Sequence, residues 1–312
     1  MRYKMEFSHI SVMLNETVDG LNVKKDGIYV DGTTGGGGHS LEVLSRLNGS
    51  GKLFCFDRDP DAINACKERF SKYNNVTLIN EKYSSLKSAL ADLGVDAIDG
   101  MMLDLGVSSH QLDTRERGFS YHGEAPLDMR MSQQGITAAE IVNTYSEKEL
   151  ANIFFIYADE KFSFKIAAEI IKRRETKPIE TTTELADIVS QCYPNKFKRN
   201  GHPARKVFQA LRIAVNDEMG EVEKGIEDAF SILKKGGRLS IITFHSIEDR
   251  LVKQKFASFT KGCTCPPDFP VCVCGNKPKA KLVNRKPIVA SDKELENNQR
   301  SRSAKLRILE KL

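Results

Sequence analysis

The sequence predicts an α/β fold: a Rossmann-like, doubly wound parallel sheet interrupted by an all-helical insertion. Three observations carry this prediction. Ile28-Tyr29-Val30, a β-favouring run, leads through Asp31-Gly32 and four consecutive glycines, Gly35 to Gly38, into the helical apolar pattern of Leu41, Val43, Leu44 and Leu47. Short apolar runs and amphipathic stretches then alternate as far as Leu105, the spacing of parallel βαβ units. From about Leu112 to Gly201 strand signals all but vanish while helix starts recur.

The glycine turn is the centre of this plan. Glycine has no Cβ to hold a ligand away from the backbone, and the helix that follows presents unpaired N–H groups to a carboxylate or phosphate. The dinucleotide spacing G-x-G-x-x-G is not met: the sixth position counted from Gly35 is Ser40, and from Gly36 it is Leu41. A nicotinamide-dependent oxidoreductase is therefore disfavoured. Residues 52–56 read as a second strand, with Asp59 a natural N-cap and Pro60 a natural first residue for a helix running to about Phe70. Residues 76–79 read as a third strand, 85–93 as a helix, and 98–105 as a fourth strand that ends in Asp104-Leu-Gly-Val-Ser-Ser. Three capping boxes follow, Thr137 with Glu140, Ser146 with Glu149 and Thr181 with Glu184, and Leu185, Ile188, Val189 and Cys192 share one helix face. These place a helical insertion at residues 112–201 between two parts of a sheet domain, 1–111 and 202–312. Beyond it, Leu211, Val215, Met219, Val222, Ile226, Phe230 and Leu233 step by three and four as one long helix that Gly220 and Gly225 bend or split. Residues 238–244 form a fifth strand, His245 starts another helix, and the tail from about Gly262 is expected to be loose until Leu306-Arg-Ile-Leu, an edge strand.

A chain of 312 residues suffices for two domains, and 40% apolar with 29% charged residues describes a soluble globular protein. The net charge of +5 permits a nucleic-acid partner without demanding one. No run of eighteen apolar residues and no signal-peptide core is present, so no membrane association is expected. Seven cysteines, four of them between residues 263 and 274, make a poor disulfide framework, and a cytoplasmic protein is the expectation.

Several residues carry chemistry. Asp57, at the end of the second strand, is placed to accept hydrogen bonds from two ribose hydroxyls of a nucleotide-like ligand, since Asp59 already fills the competing capping role. Tyr83, just past the third strand, offers a ring to stack on adenine or simply packs. Asp104 ends the fourth strand at the carboxyl edge, where ligands of this fold class bind; it can accept from an amine or be a buried structural carboxylate. His202-Pro-Ala-Arg205, with Lys196, Lys198 and Arg199, makes a basic strip suited to RNA phosphates, or else a solvated helix start. Lys277, Lys279, Lys281, Arg285 and Lys286 form a second basic stretch. Cys263-Thr-Cys265 and Cys272-Val-Cys274 either put four thiolates on one zinc ion or form a reduced, exposed loop, and no metal is counted among the expected cofactors. Cys55 and Cys66 read as core residues.

Thr33-Thr-Gly-Gly-Gly-Gly-His-Ser40, Asp57-Arg-Asp-Pro60, Leu103-Asp-Leu-Gly-Val-Ser-Ser109, Arg117-Gly-Phe-Ser120, Pro126-Leu-Asp-Met-Arg130, His202-Pro-Ala-Arg205 and Phe244-His-Ser-Ile-Glu-Asp-Arg250 occur in this order. Together they resemble the bacterial ribosomal RNA small-subunit methyltransferase H family, from His9 to Arg307. The resemblance implies a class I S-adenosylmethionine-dependent methyltransferase fold carrying a helical domain for substrate recognition. It implies methylation of N4 of a decoding-region cytosine in 16S rRNA, with S-adenosyl-L-methionine as donor and the small ribosomal subunit as partner. Donor contacts carry over to Gly37, Gly38, His39, Asp57, Tyr83, Asp104 and Gln111. Two departures stand out: position 83 is often Phe in the family, and many members lack the cysteine-rich tail. Many amino-methyltransferases place an Asp/Asn-Pro-Pro-aromatic motif after the fourth strand. Here the residues are Asp104-Leu-Gly-Val, so the groups facing the cytosine amine are sought among Asp104, Ser108, Ser109 and His245. A homodimer is compatible with the sequence, and a non-catalytic RNA-binding factor is the rival that retention of Asp57, Asp104 and the glycine turn argues against.

Overall fold

The computed structural model describes residues 11–194, 202–266, 271 and 273–312. The chain divides into two compact units, Met1–Gly106 with Met219–Leu312, and Val107–Glu218. The first unit opens with α1 (Leu14–Leu21), β1 (Ile28–Asp31), α2 (Gly38–Arg46), β2 (Lys52–Phe56), α3 (Pro60–Arg69), β3 (Val76–Ile79), α4 (Leu86–Asp92) and β4 (Ile98–Asp104). The second unit holds α5 (Ser109–Asp113), α6 (Ala138–Thr144), α7 (Glu147–Ala158), α8 (Ser163–Arg174), α9 (Thr182–Cys192) and α10 (Ala204–Asn216). The first unit then resumes with α11 (Glu218–Ile232), β5 (Leu233–Thr243), α12 (Ser246–Thr260), β6 (Ala280–Leu282), β7 (Ile288–Val289), α13 (Asp292–Asn297) and β8 (Lys305–Lys311).

The sheet runs β3-β2-β1-β4-β5-β8-β6, with β7 also on β8. Strands β3 to β5 pair in parallel, and β8 runs antiparallel to β5, β6 and β7. Period-two alternation decides which side chain meets which layer. Val30, Phe54, Phe56, Met101 and Leu103 pack on one face with Leu86 and Leu90 of α4, Val222 and Ile226 of α11, and Val252 and Phe256 of α12. Tyr29, Leu53, Cys55 and Met102 pack on the other with α1, α2 and α3 through Val18, Leu21, Val43, Leu44, Cys66 and Phe70. Both faces are covered, which is why residues 53–56 of β2 and 101–103 of β4 are uninterrupted apolar runs. The strand order reverses direction at β1 and β4, so the carboxyl ends of those two strands open the crevice that such sheets use for ligands.

In the helical unit the expected capping boxes are present at Thr137, Ser146 and Thr181, each with its glutamate three residues on. Leu150, Phe154, Ile166, Ile170, Leu185, Val189, Val207 and Leu211 are fully buried together, each worth roughly 1.5–3 kcal/mol of removed apolar surface. Three features differ from expectation. The long helix is not divided by Gly220 or Gly225; it breaks at Asp217, whose left-handed φ of +47° caps α10. Because Ala204, Val207, Phe208, Ala210 and Leu211 bury into the helical core, α10 belongs to the helical unit, and the division falls after Glu218 where 201 was expected. The tail is also more ordered than expected. It carries β6, β7 and α13 ahead of β8, with Asn284 Nδ2 donating to Leu306 O (3.0 Å) and Ile308 N–H donating to Asn284 Oδ1 (2.8 Å). Among the described residues no helix is long and apolar enough to cross a membrane.

Candidate functional site

The glycine turn, leaving β1, is sewn to the ends of β2 and β4. Gly32 N–H donates to Met102 O at 3.0 Å, Thr34 N–H donates to Phe56 O at 3.0 Å, and Asp104 N–H donates to Thr33 Oγ1 at 2.6 Å. Asp57, at the end of β2, receives Gly35 N–H on Oδ2 at 2.7 Å and Asp59 N–H on Oδ1 at 2.8 Å. Asp57 thus already accepts one backbone bond on each oxygen, and a carboxylate oxygen retains a second lone pair for a ligand hydroxyl. Gly37 has φ +78°, and a Cβ there would stand 2.6 Å from the Phe70 ring; Gly38 would bring one within 1.9 Å of Ser11 Oγ. α2 therefore begins on Gly37 with no side-chain cap.

Acids gather around this turn. Asp31 ends β1 fully enclosed, Oδ2 accepting from Ser40 Oγ at 2.6 Å and Oδ1 from Thr33 N–H at 3.1 Å. Burial pushes the carboxyls of Asp31 and Asp57 up to about 6 despite their hydrogen bonds. Asp104 is pushed further, to about 8, by burial first and then by the charges of Asp31, Glu248 and Glu294. Its Oδ1 is buried without a hydrogen-bond partner, and its Oδ2 lies 3.9 Å from His39 Nδ1. His39 Nε2 donates to Val12 O at 3.0 Å, which orients the ring. A buried carboxylate oxygen lacking a donor, in a field of like charges, is held ready for a ligand that brings N–H groups or positive charge.

The remaining expected residues fall in several places. Tyr83 is only 9% exposed, and its ring lies against Gly225 of α11, where a Cβ would come within 2.5 Å; packing is the role the structure displays. His245 caps α12: Nδ1 accepts Glu248 N–H at 3.3 Å, Nε2 lies 2.8 Å from Glu248 Oε1, and Glu248 Oε2 accepts the N–H groups of Phe244 and His245. Its Nδ1 is thus engaged by its own helix, while its buried Nε2, though close to Glu248, makes no hydrogen bond among the described residues. In the helical unit, Ser108 and Gln111 form a capping box on α5, with Ser108 Oγ accepting Gln111 N–H and Gln111 Oε1 accepting Ser108 N–H; Ser109 is the first residue of that helix. His202 and Arg205 are exposed at the start of α10, the His202 ring stacked 4.6 Å from that of Tyr121 with 17° between planes. Lys196, Lys198 and Arg199 lie outside the described residues. Sequence reading passed over Asp31, Thr33, Glu248 and Glu294. Asp31 left a signal, an acid at a strand end directly before the glycine turn.

This strand order, with its antiparallel strand inserted beside β5 and a glycine turn at the first crossover, is that of a class I methyltransferase. Residues 6–312 match the model of the MraW methylase family, and the chain belongs to that family. It is 54% identical over 309 residues to the ribosomal RNA small subunit methyltransferase H of Clostridium botulinum (strain Loch Maree / Type A3), covering 99% of this chain and 100% of that protein. The like-named protein of Paenibacillus sp. (strain JDR-2) is 53% identical over 315 residues, with 98% and 100% covered. Among solved structures, an rRNA methylase from Streptococcus thermophilus aligns over 98% of this chain and 99% of its own, at 14% identity and a TM-score of 0.43.

The residues at the carboxyl edge fit the donor of such enzymes. The cationic sulfonium and ammonium groups of S-adenosylmethionine suit a site where the carboxyls of Asp31, Asp57 and Asp104 are concentrated.

Proposed function

We propose that this protein transfers a methyl group from S-adenosylmethionine to the exocyclic N4 of a decoding-region cytosine in 16S rRNA of the small ribosomal subunit. The observation that carries the reading is the buried, unpartnered Oδ1 of Asp104 beside the uncapped start of α2. The names of the relatives support the rRNA substrate class.

In this reading Gly37, Gly38 and His39, at the start of α2, receive the methionine carboxylate, because the first turn of a helix and its dipole favour an anion there. Asp57 takes the ribose hydroxyls on the lone pairs its backbone bonds leave over. Tyr83 contributes the buried wall against which the adenine side of the pocket is built. Gln111, Ser108 and Ser109 enter through the family resemblance. When bound, the donor supplies a methyl group already activated on a sulfonium, so the protein's task is alignment.

The acceptor amine is the harder problem, because its lone pair is delocalised into the cytosine ring. A hydrogen-bond acceptor on the amine N–H localises that pair and takes up the developing positive charge. Asp104 Oδ1 is suited to this role. A positive charge brought close to Asp104 draws its raised pKa back down and restores the carboxylate. As the N–C bond forms and the C–S bond breaks, the amine proton passes toward that oxygen. The experiment is incubation of labelled donor with small subunits from a strain lacking this protein, followed by nuclease digestion of the rRNA. Label in N4-methylcytidine is expected; rRNA without label defeats the reading.

A further inference from the structure

Residues 261–279 join α12 to β6 with no helix or strand among those described. A connection this long usually needs something to hold it. Apolar packing does not: Val271 and Val273 are 69% and 73% exposed. What the segment does bring together is sulfur. The ligand atoms of Cys263, Cys265 and Cys274 lie within 4.8 Å of one another, with Cys263 Sγ and Cys274 Sγ 3.6 Å apart.

We propose that Cys263, Cys265 and Cys274 bind a structural zinc ion that closes this loop. Zinc–thiolate bonds of about 2.3 Å in a tetrahedron put their sulfurs roughly 3.8 Å apart, the separation found between Cys263 and Cys274. The spacing is too long for a disulfide, which brings sulfurs to about 2.05 Å. The amides around the cluster are a second observation pointing the same way. Thr264 N–H is aimed at Cys274 Sγ (3.3 Å), Val273 N–H at Cys265 Sγ (3.4 Å) and Asn276 N–H at Cys274 Sγ (3.5 Å). Each arm of the loop therefore sends an amide to a sulfur of the other. Such N–H groups disperse thiolate charge and orient metal ligands. The arms are also tied directly, Asn276 Nδ2 donating to Gly262 O at 2.9 Å. Three thiolates favour zinc over magnesium or calcium, which take oxygen. The fourth coordination position is assigned to no residue, and Cys272, outside the described residues, is not needed for the assignment.

The test uses the full chain, purified without chelator and under reducing conditions. Metal analysis should find about one zinc per chain, and an organomercurial titrating the thiols should release it stoichiometrically. Cobalt substituted for zinc should give thiolate-to-metal charge transfer and the intense visible bands of a tetrahedral site. Cys263→Ser with Cys274→Ser should lower zinc content at least about tenfold and speed proteolysis within residues 261–279, with donor binding unchanged. The assignment is overturned if the purified chain holds less than about a tenth of an equivalent of zinc, if iron takes its place, or if the double variant keeps its metal. Should the variant fold poorly, mercurial release and the cobalt spectrum of the unaltered chain decide on their own.

Discussion

Gly35 donates its backbone N–H to Asp57 Oδ2 at 2.7 Å, so a side chain at the end of β2 sets the path of the turn at the end of β1. The same carboxylate holds Asp59 N–H on its other oxygen, and Asp59 in turn caps α3. Asp57 is therefore both a support of the turn and, in the reading above, the ribose ligand.

Asp57→Ala removes both functions together. Hydrogen bonds to a charged group are worth about 1.5–3 kcal/mol, so donor affinity should fall roughly 10- to 100-fold by calorimetry. RNA affinity should be unchanged, because the substitution leaves the helical unit untouched. Donor affinity equal to that of the unaltered chain would remove Asp57 from the site.

Gly35 and Gly37 both have left-handed φ, at +49° and +78°, yet they should tolerate alanine differently. At Gly35 an added Cβ meets nothing nearer than Thr33 O at 3.9 Å, so Gly35→Ala carries only the backbone penalty of about 1–2 kcal/mol. At Gly37 the Cβ would also press on Phe70 at 2.6 Å and Cys66 at 3.1 Å, adding roughly 1–3 kcal/mol of overpacking. Thermal denaturation should therefore rank Gly37→Ala clearly below Gly35→Ala, with donor binding weakened more at Gly37. Equal melting temperatures would show that the Phe70 contact yields freely.

The parallel sheet was legible because each strand is a short apolar run bounded by a turn or cap residue. The ends of β2 and β3 match the expected 52–56 and 76–79. Asp59 and Pro60 named the start of α3 because capping is a local interaction. What local pattern does not encode is which core a helix joins. Val207, Phe208 and Leu211 have the periodicity of any amphipathic helix, and only the helical unit's core shows where they bury. The acids at the site divide similarly. Asp57 and Asp104 were visible as carboxylates at strand ends, whereas the effect of Glu248 and Glu294 on Asp104 depends on contacts some 140 or more residues apart in sequence. That His245 caps α12 was not legible, because a histidine N-cap has no distinctive sequence signature, although Glu248 three residues on fits a capping box.

Asp104 makes the stability of the donor-free protein depend on pH in a defined direction. Its carboxyl is raised from 3.8 to about 8, so the folded chain keeps a proton that the unfolded chain gives up across that range. Stability from this group is present in full below about pH 4, falls as pH rises, and levels off above about 8. Asp31 and Asp57, raised to about 6, act in the same direction but have largely finished by pH 7. Denaturant unfolding at pH 6, 7 and 8 should show the unaltered chain losing at most about 1.4 kcal/mol per pH unit relative to Asp104→Asn. Parallel pH profiles for the two would mean that Asp104 is already ionised in the folded protein.

Arg205 is exposed at the start of α10 beside the stacked rings of His202 and Tyr121, while Lys198 and Arg199 precede it in sequence. If these side chains meet RNA phosphates, each displaces counterions on binding, and the logarithm of affinity falls with the logarithm of salt by about 0.7 per contact on single strands. Replacing Lys198, Arg199 and Arg205 with alanine should therefore weaken rRNA binding and lower the salt slope by about 2. The loss should not depend on the sequence of the RNA, because phosphates carry none of it. Replacing Tyr121 with alanine should weaken binding without changing the slope, since stacking releases no ions. An unchanged slope in the triple variant would place the RNA track elsewhere on the protein, and a slope change in the Tyr121 variant would mean that the ring acts by positioning the cations.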